Sequence, residues 1–224
     1  MLVSYVINKD DRLVKRCIEV FDWSRYSTGF VMERYPNWEE QLSLTFSMIW
    51  TLVLRDYAWW RNDKKWVQQR LVGMRCMMEN MRTYKNKEGL LESLPGWSFL
   101  DWVPGWNVGM HPGVEEGPSS IINLFYVLAL QSAADLEKEY GEPLLAQRNL
   151  EESKVVCKSI KTLFWNSSRS LFADNFNKTS YSEHAQSLAL IAGVLEKEEK
   201  ENCIKGLLND IDLCRATVYF SHYL

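Results

Sequence analysis

The sequence predicts an all-α protein arranged as a ring of α-hairpins, an α/α toroid, on three observations. Apolar residues recur at three- and four-residue steps over most of the 224 residues. The helices so marked alternate between two kinds, one apolar nearly all round and one apolar along a single stripe. The links alternate too, short after the first kind and mostly long after the second.

Taken in order, Met1-Leu2-Val3-Ser4-Tyr5-Val6-Ile7 is an apolar run of inner-helix character with no capping residue before it. Residues 10–22 place Leu13, Val14, Cys17, Ile18 and Phe21 on one stripe, an outer helix. Over 39–60 the set Leu42, Phe46, Ile49, Val53, Tyr57 and Trp60 is in step, but Leu44, Met48, Trp50 and Leu52 make the other faces apolar too, so this helix is inner. Residues 63–82 keep Val67, Leu71, Met74, Met78 and Met81 on one stripe and are outer. An inner helix over 118–138 opens on Pro118, where a missing N–H costs nothing. An outer one over 143–165 carries Ala146, Leu150, Cys157, Ile160 and Phe164 against three lysines. Residues 181–195 are inner, with His184, Leu188, Ile191 and Leu195 in step, and the charged stretch 196–208 is outer. Thr217 to Leu224 begins one more inner helix, and no segment has convincing strand alternation.

The long links are 23–38, 83–117 and 166–180. In a set of antiparallel inner and outer helices all links of one kind emerge at the same end. The long loops are therefore expected to line a cleft on one face of a single domain, residues 1–224. A helical-repeat solenoid that binds protein or carbohydrate without catalysis is the rival, but inner helices beginning near 39, 118, 181 and 215 lack the constant spacing of repeats. Apolar ends on both sides read as inner helices cut from a longer toroid, with exposed apolar edges that favour a homodimer.

Composition removes several classes of function. A net charge of −3 without a basic run leaves no footprint for nucleic acid or an anionic membrane. Cys17, Cys76, Cys157, Cys203 and Cys214 are scattered and odd in number, as reduced core thiols are, and no histidine has partners at metal-ligand spacing. No apolar run reaches the roughly 18 residues of a membrane span, and no signal peptide opens the chain, so it reads as soluble with its compartment open. No cofactor motif is present: there is no phosphate loop and no GxSxG.

The candidate binding residues cluster on the loops. Leu94-Pro95-Gly96-Trp97-Ser98-Phe99-Leu100-Asp101-Trp102-Val103-Pro104-Gly105-Trp106 places three indoles and a carboxylate in a segment too rich in Gly and Pro for regular structure. Indoles on a loop either plug the end of a helical core or face a ligand, and the axial C–H groups of a sugar suit them. Asp101 beside Trp102 is either a loop cap or an acceptor for two sugar hydroxyls. Glu115 and Glu116 either complement the dipole of the following helix or line the floor of the cleft. Glu183 and His184 stand in the first turn of an inner helix at the long-loop end, and a histidine there is either a satisfied core group or part of the site. His111 lies in a Gly/Pro loop, and Arg34-Tyr35-Pro36-Asn37-Trp38 either clamps a saccharide or staples the entry to the next helix. Asn166-Ser167-Ser168 and Asn177-Lys178-Thr179 match the glycosylation pattern, which is common by chance.

These segments resemble the bacterial α-L-rhamnosidases of glycoside hydrolase family 78. The likeness lies in Asp11-Arg12-Leu13-Val14, Met32-Glu33-Arg34-Tyr35-Pro36 with the helix through Arg55-Asp56-Tyr57, Asp101-Trp102-Val103-Pro104-Gly105-Trp106, Glu116-Gly117-Pro118-Ser119-Ser120-Ile121, Ser182-Glu183-His184-Ala185 and Tyr219-Phe220-Ser221. The resemblance implies a partial (α/α)6 toroid, incomplete at both ends, and hydrolysis of terminal α-L-rhamnose with inversion. That reaction uses a general acid and a general base about 6.5–9.5 Å apart. In the family pattern both lie outside the part that matches this chain, so the chain is expected to hold a rhamnose-containing glycoside without cleaving it. The resemblance implies a rhamnose-binding wall of Asp101, Trp102 and Trp106; Arg34, Glu116 and His184 are further candidate contacts read from their places on the loops, and no metal or cofactor is expected. Members of such a family occur in periplasmic, secreted and cytoplasmic forms.

Overall fold

A computed structural model describes residues 2–7 and 9–224, and within them nothing of the Leu2 side chain. Met1, part of the expected opening helix, lies outside the described residues. The order of elements is α1 (Leu2–Ile7), α2 (Arg12–Trp23), α3 (Leu44–Arg61), α4 (Lys64–Arg82), α5 (Ser120–Tyr140), α6 (Pro143–Phe164), β1 (Trp165–Asn166), β2 (Leu171–Phe172), α7 (Glu183–Ala192), α8 (Lys197–Asn209) and a 3-10 turn at Phe220–Tyr223. None of these helices is long and apolar enough to cross a membrane, among the described residues.

Burial alternates from helix to helix as the periodicity predicts. α3 buries Leu44, Met48, Trp50, Leu54 and Tyr57 on several faces, and residues 118–130 leading into and along α5 are all buried. α4 buries one stripe, Val67, Leu71, Met74, Met77, Met78 and Met81. The stripe of α6 differs from the expected one: it runs through Ala146, Asn149, Ser153, Val156, Ile160 and Phe164, while Leu150 is exposed. Polar side chains take the buried positions because they have partners, as where Arg82 donates to Asn149 Oδ1 at 2.6 Å.

The ends of the elements follow their capping chemistry. Asn62 takes the left-handed conformation at the end of α3, and the Asp63 carboxylate then accepts from Trp66 N to start α4. Gly193 ends α7 at φ +71, with its N–H on Ala189 O. Glu196 and Glu199 form a reciprocal capping box at α8. α5 begins at Ser120 and not at Pro118, because the Ser119 hydroxyl accepts from Ile122 N and takes the capping position itself.

Two expectations are corrected, and one small element is added. α1 leaves Val3, Val6 and Ile7 exposed and buries Tyr5, whose ring stacks on Trp60 at 5.7 Å. Residues 220–223 form a 3-10 turn, since Phe220 N and Ser221 N both donate to Thr217 O and tighten the chain around the buried Phe220. A small antiparallel pair exists, Trp165 opposite Phe172 and Asn166 opposite Leu171, too short to show alternation in sequence.

By contact the chain forms two units whose segments interleave. The first holds the described residues of Met1–Thr83 with Pro95–Trp97 and Ala129–Glu151; the second holds Tyr84–Leu94, Ser98–Leu128 and Glu152–Leu224. In the first, α3 packs between α2 and α4, and the Trp50 indole donates to Ile18 O. This unit also holds the ion pair of Arg75 with Glu137, two bonds of 2.7 Å on a carboxylate 1% exposed, and Glu137 also accepts from Glu142 N. A Cβ on Gly141 would lie 2.0 Å from that carboxylate, so any larger residue there has to displace the Glu137 side chain. Glu137→Ala is expected to cost about 2 kcal/mol in urea unfolding, because Arg75 and Glu142 N both lose a buried, charged acceptor. In the second unit Leu171, Cys203 and Leu213 form a core covered by Trp165, Tyr181, Leu190, Leu195 and Leu207.

Candidate functional site

The loop after Trp97 folds back on itself before it reaches α5. Leu100 N and Asp101 N both donate to Gly109 O, at 2.9 and 3.2 Å, and short turns follow through Val103, Trp106 and Met110. Gly109 sits at φ +75 with its Cα against the Phe99 ring, where a Cβ would meet the ring at 2.4 Å. The fold-back turns Asp101 inward and leaves Trp102 outward: Asp101 is 0% exposed and Trp102 62%.

The placement of Asp101 differs from the expectation of a sugar acceptor. Its Oδ2 accepts from His184 Nε2 at 2.8 Å and Thr217 N at 2.9 Å. Its Oδ1 accepts from Trp102 N at 2.8 Å and from the Thr217 hydroxyl. Four protein donors thus take the lone pairs that two sugar hydroxyls would need. Burial works against the charge, but the Thr217 hydroxyl and N–H and the His184 ring outweigh it and hold the carboxyl below its ordinary range.

His184 is likewise wholly buried. Its ring lies 4.9 Å from that of Trp106 and 4.1 Å from that of Phe220. Burial lowers its pKa despite the carboxylate beside it, so the ring is neutral near pH 7. An ionised Asp101 only accepts, which assigns the proton to Nε2 and leaves Nδ1 a bare, buried acceptor with no hydrogen-bond partner among the described residues. Trp106 is 9% exposed, its edge toward His111 at 6.0 Å, so of the loop indoles in this unit it is Trp102 that faces solvent.

Glu183 works beside Asp101. It accepts from Arg215 Nη1 at 2.6 Å and from Ala216 N at 2.7 Å, while its own N–H donates to Cys214 O. Two neighbouring carboxylates therefore grip the segment 214–217. Sequence reasoning missed Thr217, and no local signal marks it: a threonine becomes the partner of Asp101 only through a contact across 116 positions. It also missed Asp174, fully buried, which accepts from the Ser180 and Ser182 hydroxyls at 2.7 Å each. Burial pushes its carboxyl up to about 6.

His111 is buried, with Nε2 on the Ser119 hydroxyl at 2.7 Å and Nδ1 near Pro112 O, and burial lowers its pKa to about 4. Glu116 is exposed and accepts from Asn177 Nδ2. Arg34 is exposed and belongs to the other unit. Among the described residues no three His, Cys, Asp or Glu side chains are grouped to hold a metal.

The profile of the family described as bacterial alpha-L-rhamnosidase 6 hairpin glycosidase domain matches residues 2–218. The chain matches no protein of curated function. It is similar to a solved GH78 family rhamnosidase of Bacillus sp. GL1, with TM-score 0.88 and 20% identity over 99% of this chain and 23% of that one. A rhamnosidase from Klebsiella oxytoca with rhamnose bound has TM-score 0.78 and 18% identity over 94% of this chain and 40% of its own. An alpha-L-rhamnosidase from Dictyoglumus thermophilum has TM-score 0.71 and 12% identity over 89% and 22%. The chain thus spans less than half the length of each. At these identities the likeness carries the fold, an all-α six-hairpin toroid.

Proposed function

Because the chain belongs to the bacterial α-L-rhamnosidase six-hairpin glycosidase family, we propose that it forms part of a glycoside hydrolase acting with inversion on terminal α-L-rhamnose, and that Trp102 contacts the sugar. The observation that carries this reading is the exposed Trp102 indole on a loop whose preceding residue is anchored by four hydrogen bonds. A preorganised aromatic face loses little freedom when a pyranose packs on it. Asp101 and His184 then act from behind the wall by holding its backbone. Trp106 supports it through His184.

The same geometry leaves the cleavage chemistry to other carboxylates. A general acid or base needs access to the glycosidic oxygen or to the attacking water. Asp101 and Glu183 are engaged by protein donors, and Asp174 is enclosed. The chain alone is therefore proposed to bind and not to turn over. Fluorescence titration with L-rhamnose tests this: Trp102→Ala is expected to weaken binding about tenfold, the worth of one aromatic contact. Unchanged affinity in that variant would remove Trp102 from the site. Release of nitrophenol from nitrophenyl α-L-rhamnoside at the rate of an intact enzyme would place the catalytic pair within the chain.

A further inference from the structure

α1 has the composition of an inner helix and yet keeps an aliphatic face outside. Val3, Val6 and Ile7 stand at i, i+3 and i+4 on that face and are 70%, 72% and 69% exposed. Tyr5 anchors the helix from its other side, its ring stacked on Trp60 at 5.7 Å and 5.1 Å from the Arg61 guanidinium.

The same unit holds an apolar groove between α2 and α3. Its walls are Cys17, Phe21, Phe46, Ile49 and Val53, at three- and four-residue steps along the two helices, around about 380 Å3 of open space. The Trp50 N–H at its base is taken by Ile18 O at 3.2 Å, so the groove offers no strong hydrogen bond to what enters it. An extended peptide would lose its backbone partners there, whereas a helix brings its N–H and C=O groups already paired. The groove therefore fits a helix with a short aliphatic face, which α1 of a second copy presents. Within one copy Tyr5 holds α1 at Trp60, about 10 Å along α3 from Val53, and the exposure of Val3, Val6 and Ile7 shows that they do not fill the groove beside them.

The areas agree with such a pairing. Val3, Val6 and Ile7 expose roughly 300 Å2 of apolar surface and would cover about as much again on the groove walls, so each copy would bury roughly 600 Å2. A standard interface takes about 800 Å2 from each partner, about three-fifths of it apolar, or roughly 500 Å2. Because each copy gives both a face and a groove, the contact is reciprocal and closes at two.

We propose that two copies of the chain pair about a two-fold axis, α1 of each seated in the α2/α3 groove of the other, with Val3, Val6 and Ile7 against Cys17, Ile49 and Val53. The pairing does not depend on the sugar contact at Trp102. Sedimentation equilibrium of the full chain is expected to show a dimer with Kd of about 10 μM or lower, and Val6→Glu, a change at an exposed position, to raise that Kd at least about tenfold. Cys17 lines the groove and is half-buried, so it reports on the seat without a substitution there. Its alkylation by N-ethylmaleimide, followed by peptide mass spectrometry, is expected to be at least about fourfold slower at about 100 μM chain than at about 1 μM, the ratio of free monomer fractions at that Kd. In Val6→Glu the slowing should disappear. A chain still monomeric at about 100 μM, a Val6→Glu dimer as tight as the parent's, or a dimer whose Cys17 reacts as fast as the monomer's would each overturn the proposal.

Discussion

Asp101→Ala is expected to lower the unfolding free energy of the chain by about 3–5 kcal/mol, the range for removing one member of a buried, charged hydrogen-bond group. Two backbone N–H groups, a hydroxyl and an imidazole N–H would lose one shared acceptor, in a place where Asp101 and His184 are both wholly buried. Asp101→Asn keeps the shape but not the chemistry. Whichever way the amide turns, its NH2 faces Trp102 N or Thr217 N, so about 2 kcal/mol should still be lost. Hydrogen exchange should quicken at Trp102 and Thr217 in both variants. Urea unfolding with both variants within about 0.5 kcal/mol of the parent would show that the clamp contributes nothing to stability.

The second large effect is a pair of opposed pH dependences in the same unit. His111 has its pKa lowered from 6.5 to about 4 by burial. The unfolded chain therefore takes up its proton first, and the stability His111 contributes, whole above pH 6.5, is lost as pH falls toward 4, about 3 kcal/mol in all. Asp174 has its pKa raised from 3.8 to about 6. Here the folded chain holds the proton more tightly, so stability gained below pH 3.8 is lost as pH rises through 6, again about 3 kcal/mol. The two nearly cancel between pH 4 and 6, so each masks the other. Asp174→Asn should steepen the acid loss of stability over that interval relative to the parent, and His111→Gln should reduce or reverse it. Parallel stability curves for parent and Asp174→Asn from pH 4 to 7 would sink this account.

How far the site could be read from sequence depends on how local its causes are. The loop was visible because three indoles among glycines and prolines are conspicuous over thirteen residues. Which way each side chain points was not visible, since the inward turn of Asp101 depends on Gly109 passing under Phe99 and on Thr217 arriving from far along the chain. For Glu116 the sequence leaves a dipole partner of α5 and a floor residue both open, and in the structure Ser119 takes the cap while Glu116 lies exposed with Asn177. The stripe of α6 was misplaced for a related reason: Asn149 is buried because Arg82 is there to meet it.

The sequence by itself determined the helices from α2 to α8, their alternation between all-round and one-sided burial, and the family, because periodicity and motif are properties of neighbouring residues. Only the tertiary structure decided which loop groups remain available to a ligand. A carboxylate binds whichever donors reach it first, and Asp101 and Glu183 meet donors of their own chain, while Trp102 and Trp38 are left facing water.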